Sequence, residues 1–176
     1  MSRYYIQENL LTARQPTVVR NEEGETIFLM VGKWGSRGDV LSLYTFEGEL
    51  VANVQQISRG TGIGSLFHIY YHFKKVGSLR RVFSFQKDFY FIPQLSWVVV
   101  GDIPKHEYNI YSLQKKIMSM EKTYHAKGSF YELDVPQDEY APICICIAAV
   151  LDYWSIDRKK EHKFFKQQSP QRNLGF

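Results

Sequence analysis

Late in the chain, residues 141–151 read Ala-Pro-Ile-Cys-Ile-Cys-Ile-Ala-Ala-Val-Leu, a run without a charge that leads into Asp152-Tyr153-Trp154. Residues 143–147 alone would suit a buried strand. Continuation through two alanines to Trp154, the acidic Asp138 and Glu139 ahead of the run, and a proline tolerable only in a first turn instead favour one helix over about 138–155. A helix that is apolar on every side has to be buried on every side. The uncharged run would reach about 16 Å as a helix, against roughly 30 Å for a bilayer core, so a position inside the protein is expected and no membrane span.

What could enclose such a helix follows from the rest of the chain. Period-two runs rich in β-branched and aromatic residues lie near 4–8, 17–20, 26–33, 39–45, 50–57, 66–73, 79–86, 88–92, 96–100, 107–111, 114–120 and 129–134. With 12 Phe, 12 Tyr and 3 Trp, the composition also leans toward sheet. Gly24, Gly48 and Gly77 each stand at the head of a new run, spaced 24 and 29 residues apart, which suggests repeated hairpins with turns at Glu22-Glu23-Gly24-Glu25, Phe46-Glu47-Gly48-Glu49 and Lys75-Val76-Gly77-Ser78. A chain of 176 residues suits one core. An up-and-down sheet that closes around the helix would bury it completely and leave no sheet edge. One barrel domain over 1–157 is expected, followed by a basic tail over 158–176 that is partly disordered.

Hairpins punctuated by Glu-Gly-Glu, the strand Trp97-Val98-Val99-Val100-Gly101-Asp102 leading to Tyr108-Asn109-Ile110, then Tyr131-Glu132-Leu133-Asp134-Val135 and the apolar helix closing on Leu151-Asp152-Tyr153 resemble the LURP-one-related family. That family groups with the phospholipid scramblases and Tubby C-terminal-like proteins, and the resemblance spans roughly residues 3–156. It implies a mainly β fold, a twelve-stranded closed antiparallel barrel around a C-terminal buried hydrophobic helix. The residues that carry the resemblance determine a fold and contain no catalytic motif.

The candidate sites thin out under inspection. His68 and His72 have metal spacing only on a helix, and in a strand they would lie about 13 Å apart. His106 and His125 stand in turn-like segments with no partner spacing. Cys144 and Cys146, too few and too close for a disulfide scaffold, read as core packing with raised thiol pKa values in a reducing, cytoplasmic setting. Asp134, Asp138 and Glu139 lie near where scramblases carry a calcium segment, yet Pro136 stands there without the glycine a calcium loop needs, so Asp138 is expected to cap the helix. Gly60-Thr61-Gly62-Ile63-Gly64 precedes a strand pattern, which fits a hairpin loop and not a dinucleotide site. No Gly-x-Ser-x-Gly, His-Glu-x-x-His or Walker motif occurs. The N-terminus lacks the apolar stretch of a signal peptide.

The formal charge of +4 is unevenly spread: residues 1–70 hold 6 basic and 7 acidic side chains, whereas residues 71–132 hold 10 and 5. Lys74, Lys75, Arg80 and Arg81 flank the turn expected at Gly77, with Lys87, Lys115, Lys116 and Lys122 on later strands. Tubby-type barrels hold anionic phosphoinositides with strand lysines and arginines, so the resemblance implies Lys74, Lys75, Arg80 and Arg81 as an anionic-lipid contact. Aromatic interleaving is too irregular for a nucleic-acid platform. The expected function is therefore a non-enzymatic cytoplasmic barrel module, peripheral at the membrane, that binds anionic phospholipid surfaces or a protein partner, with no catalytic, cofactor or metal site. The alternative is a small-molecule-binding or catalytic protein with its site at the barrel mouth.

Overall fold

A computed structural model describes residues 2–8, 16–59, 64–83, 88–125 and 128–167. Its strands are β1 (Ser2–Gln7), β2 (Thr17–Arg20), β3 (Thr26–Gly32), β4 (Val40–Thr45), β5 (Leu50–Gln56), β6 (Leu66–Tyr71), β7 (Lys74–Phe83), β8 (Asp88–Ile92), β9 (Trp97–Asp102), β10 (Glu107–Ser112), β11 (Lys115–His125) and β12 (Gly128–Val135). Each pairs with its sequence neighbour, and β1 pairs antiparallel with β12 from Ser2↔Val135 to Gln7↔Phe130, which closes the barrel. Helix α1 (Ala141–Gln167) follows. The twelve-stranded barrel around a C-terminal helix is the architecture that period-two reading and the family resemblance both led to.

Side chains alternate across the wall. Ile6, Val19, Leu43, Val54, Ile69 and Leu133 face inward with at most 2% exposure, and every residue from Ala141 to Asp152 on α1 is buried. The stretch Asp138–Ile156 is long and apolar enough, by length and composition, to cross a membrane, which the shorter run 141–151 did not suggest; here 78% of it is buried inside the protein. The turns after β2, β4, β6, β8 and β10 and the start of α1 share one end, called the upper end below. At the lower end an aromatic cluster packs around the later turns of the helix: Trp34 stacks on Tyr153 with centroids 5.8 Å apart, and Phe67 meets Trp154 edge-on at 5.2 Å.

Three expectations change. Gly24 (φ 82°) and Gly48 (φ 89°) do occupy turns, but Gly77 lies inside β7, and the hairpin between β6 and β7 turns at His72 and Phe73. Gly77 is required for another reason: a Cβ there would sit 2.5 Å from Ile92 Cγ2, so the position has no room for a side chain. Asp138 does not cap the helix. It begins a 3-10 turn, Asp138–Tyr140, whose N-cap is Gln137 without a side-chain cap bond, and the acidic pair Asp138 and Glu139 occupies that turn. Finally, α1 runs on through Asp157 to Gln167, past the expected end near Ser155, while 168–176 lie outside the described residues.

Enclosure of the helix has a direct test. Ala148 is 2% exposed, and an unpaired carboxylate placed there would cost several kcal/mol against a typical total stability of about 5–15 kcal/mol. Ala148→Asp is expected to abolish soluble folding, read by yield and thermal melting. A soluble variant that melts cooperatively would contradict an enclosed helix.

Candidate functional site

Two groupings of polar side chains emerge, one at each end of the barrel. At the lower end, the single charged residue among 141–156, Asp152, is 1% exposed. Its Oδ1 accepts from Tyr131 Oη at 2.9 Å and lies 2.8 Å from His106 Nε2. A carboxylate only accepts, so Nε2 carries the proton. His106 sits in the turn between β9 and β10 with φ 61°, and its ring stacks on Tyr131 at 4.5 Å. Burial and then the Asp152 charge push the Tyr131 phenol far above its ordinary range, and the same two causes act on Tyr108. The Tyr108 hydroxyl and Asp152 Oδ2 are buried without a hydrogen-bond partner among the described residues. Just outside, Lys122 donates to Glu8; burial pushes the Glu8 carboxyl up, but the Lys122 bond and charge outweigh it and hold it below its usual range.

This cluster escaped the sequence reading because His106 and Asp152 are 46 residues apart. One signal was present, the lone acidic residue inside an otherwise apolar helix. Chemically the cluster ties α1 to the β9–β10 turn and to β12. His106 and Asp152 are 4% and 1% exposed, so the pair is buried.

At the upper end, the hairpins β6–β7 and β10–β11 share an unusual local design. Tyr71 pairs with Lys74 across a two-residue turn in which His72 (φ 43°) and Phe73 (φ 64°) are both left-handed. Ser112 pairs with Lys115 across Leu113 and Gln114, and Leu113 has φ 52°. Two-residue hairpins favour Asn and Gly at such φ values, and a bulky residue there is strained. Both bulky residues are also exposed, Phe73 at 78% and Leu113 at 91%, and each is followed by two lysines: Lys74 and Lys75, then Lys115 and Lys116. The two turns lie about 19 Å apart around the sheet, four strand spacings. Lys115 is partly held, donating to Gln137 Oε1 at 2.7 Å with its ammonium 5.9 Å from the Tyr140 ring centroid. At the same end, the turn after β2 carries Glu22, Glu23 and Glu25, and the turn after β4, two strand spacings or about 10 Å from the His72–Phe73 turn, carries Glu47 and Glu49 with Phe46 exposed beside them.

The four basic residues singled out from the sequence are therefore split. Lys74, Lys75 and Arg80 are exposed on β7, whereas Arg81 is 8% exposed and turned inward. With the turn at His72–Phe73 instead of Gly77, Lys74 and Lys75 stand at the hairpin, and Arg80 lies about 16 Å further along the strand. Lys75 Nζ lies 3.0 Å from His68 Nε2. Lys87 and residues 60–63 fall outside the described residues; Gly64 leads into β6, a strand, as the hairpin-loop reading of the glycine run expected. His72 is in the turn that follows β6, four residues and about 13 Å along the extended chain from His68, too far to share one ion. Among the described residues no three His, Cys, Asp or Glu side chains converge as for a metal ion. Cys144 and Cys146 are free and fully buried; burial pushes the Cys146 thiol up to about 12 and raises Cys144 as well.

The sequence that builds this barrel and its enclosed helix matches the family model described as LURP-one-related over residues 2–152. The chain belongs to the LURP-one-related family. A relative, the uncharacterised protein YxjI of Bacillus subtilis, is 22% identical over 152 residues, covering 86% of this chain and 93% of its own length. An X-ray structure of an Arabidopsis thaliana protein superposes with a TM-score of 0.58 at 14% identity, covering 86% of this chain and 89% of that one. At that identity the likeness shows the shared LURP-one-related fold alone.

The buried lower cluster supplies a stability test. Asp152→Ala would leave both His106 and the Tyr131 hydroxyl unpaired in the interior, a loss on the order of 3–5 kcal/mol. His106→Gln keeps an amide donor and is expected to cost clearly less. Urea unfolding of both variants checks this; equal, small losses would show that the cluster does not fasten the helix.

Proposed function

We propose that this barrel is a non-enzymatic module that docks on anionic phospholipid surfaces through its upper end. The observation that carries the reading is the pair of hairpin tips in which a strained, exposed Phe73 or Leu113 precedes two lysines. Each tip combines an apolar group that could reach the acyl boundary with cations at the headgroup level. A bulky residue held at positive φ and left in water costs stability twice, which suits a residue retained for a contact outside the chain. The acidic turns after β2 and β4 at the same end would be repelled by the same surface and so set the tilt of the barrel. The sealed His106–Asp152 pair and the inert thiols support a binding role over a catalytic one, and the buried, reduced cysteines suit a peripheral protein on the cytoplasmic side.

Basic residues near an anionic surface contribute about 1 kcal/mol each, so Lys74, Lys75, Lys115 and Lys116 together would change affinity by up to about a thousandfold. Co-sedimentation with phosphatidylglycerol-rich vesicles is expected at low salt, with loss near 1 M salt, where the Debye length falls to about 3 Å. Neutral phosphatidylcholine vesicles should not bind, and changing the four lysines to Glu should abolish association. Phe73→Asn and Leu113→Asn give a second test with opposed readouts. Asn tolerates the left-handed region, so both should raise thermal stability, by about 1 kcal/mol each, while weakening vesicle binding. Phe46→Asn should leave binding unchanged. No binding by the wild-type protein, or equal binding to neutral vesicles, would sink the lipid reading and leave a protein partner as the occupant of this end.

A further inference from the structure

We propose that the outer face of β7–β11 is the interface of a weak homodimer, in which a second copy of this chain packs wall against wall about a two-fold axis that crosses the strands. The proposal is independent of the docking reading, since it uses the side of the barrel and not its end. The register sets five apolar side chains together on that face. Val82 pairs with Phe89, and Phe91 pairs with Val98. Val100 stands one pleat below Val98, level with Phe89 beside the Tyr90↔Val99 pair. Val82, Phe89, Val98 and Val100 are between 39% and 52% exposed, and Phe91 is half-buried. Outward side chains on a solvated antiparallel wall are ordinarily polar, so a contiguous apolar face of this kind marks a contact surface.

The charges that border the face identify the occupant. Val100 pairs with Asn109 and Asn109 with Ser119, which continues the Val82–Phe89–Val100 row as far as β11. One pleat above that row, Tyr111 pairs with Lys116; one pleat below it, next to the Tyr108↔Met120 pair, Glu107 stands opposite Glu121. The two glutamates line an open groove of about 360 Å³ together with Asn109 and Ser119. Like charges directly opposite one another cost stability. Glu132, the other neighbour of Glu121, is held by Arg3, whereas Lys116, Glu107 and Glu121 form no ion pair among the described residues. Rotation by a half-turn about the row exchanges the pleat above with the pleat below, each about 7 Å from the axis. Lys116 of one copy then faces Glu121 of the other with Glu107 beside it, and the reciprocal contact forms as well. Phe89 and Val100 meet their own counterparts at the axis. The cation that the glutamate groove lacks is thus supplied by the same chain.

The size of the face sets the affinity. Four strand spacings and two pleats give roughly 19 Å by 14 Å, on the order of 400 Å² once side-chain margins are added, against about 800 Å² per partner for a standard interface. A dissociation constant on the order of tens of micromolar is therefore expected. Because the contact uses the same patch on both copies, it closes on itself and association stops at the dimer.

Sedimentation equilibrium of the full chain over about 5–500 µM reads the association directly. The wild-type protein is expected to follow a monomer–dimer equilibrium with no larger species. Val100→Glu, which sets two carboxylates face to face at the axis, should weaken dimerisation by at least about tenfold, and Phe46→Asn, at the upper end, should leave it unchanged. Lys116→Glu and Glu121→Lys should each weaken it by roughly tenfold. An equimolar mixture of those two variants, or the double variant, restores opposite charges across the axis and should recover the wild-type affinity to within about threefold. All these positions lie on the surface, and unchanged melting temperatures in dilute samples confirm folding. A wild-type protein that stays monomeric to about 500 µM, or a dimer that Val100→Glu leaves intact, overturns the proposal and leaves this wall to a different protein partner. Loss of the dimer in both single charge variants without recovery on mixing overturns the two-fold arrangement.

Discussion

An apolar helix with no solvent-facing side has to be wrapped, and nearly everything else in this chain serves that requirement. Twelve short strands present one apolar side chain after another to α1, and pairing of β1 with β12 removes the last open edge. Among the described residues the buried helix fills the interior, which leaves little of the central space that larger barrels give to ligands. The one carboxylate carried into the core, Asp152, is bonded by His106 and Tyr131, so the helix is fastened by direction-specific contacts as well as by area.

The two ends differ in kind. Among the described residues, the lower end packs Trp34, Phe67, Tyr153 and Trp154 against one another and buries the His106–Asp152 pair. The upper end spreads its charge into an acidic and a basic sector and leaves Phe73 and Leu113 exposed at positive φ. In the proposed docking the basic sector is the working surface, and Phe73 and Leu113 are side chains that would be replaced there at a gain in stability. A charge-divided end also orients the barrel on contact, since one sector is attracted to an anionic plane and the other repelled.

Much of this fold could be read from residue order. Period-two runs overlap all twelve strands, because each alternates against the same buried helix, but β7 begins at Lys74, five residues ahead of the run at 79–86, and β11 ends at His125, five past the run at 114–120. The turn at Gly77 could not be read, since a glycine signals a turn and a tight packing site alike; here Ile92 Cγ2 occupies the place of a Cβ. That displacement moved the hairpin to His72–Phe73 and concealed Phe73 as a tip, because an aromatic pair is not a usual left-handed turn. Arg81 shared a sequence cluster with Arg80 but, one residue on, points to the other face of the sheet. His106 and Asp152 meet only through closure of the barrel, which no local pattern encodes.

The central claim, that Phe73 and Leu113 enter an anionic bilayer while the neighbouring acidic turn at Phe46 stays out, can be measured site by site. An environment-sensitive thiol label at Phe73→Cys, Leu113→Cys or Phe46→Cys reports polarity at each tip, and the native Cys144 and Cys146 are buried and stay unlabelled. On addition of phosphatidylglycerol vesicles, emission from positions 73 and 113 should shift to the blue, and position 46 should not change. No shift at 73 and 113, or the same shift at 46, would contradict the account.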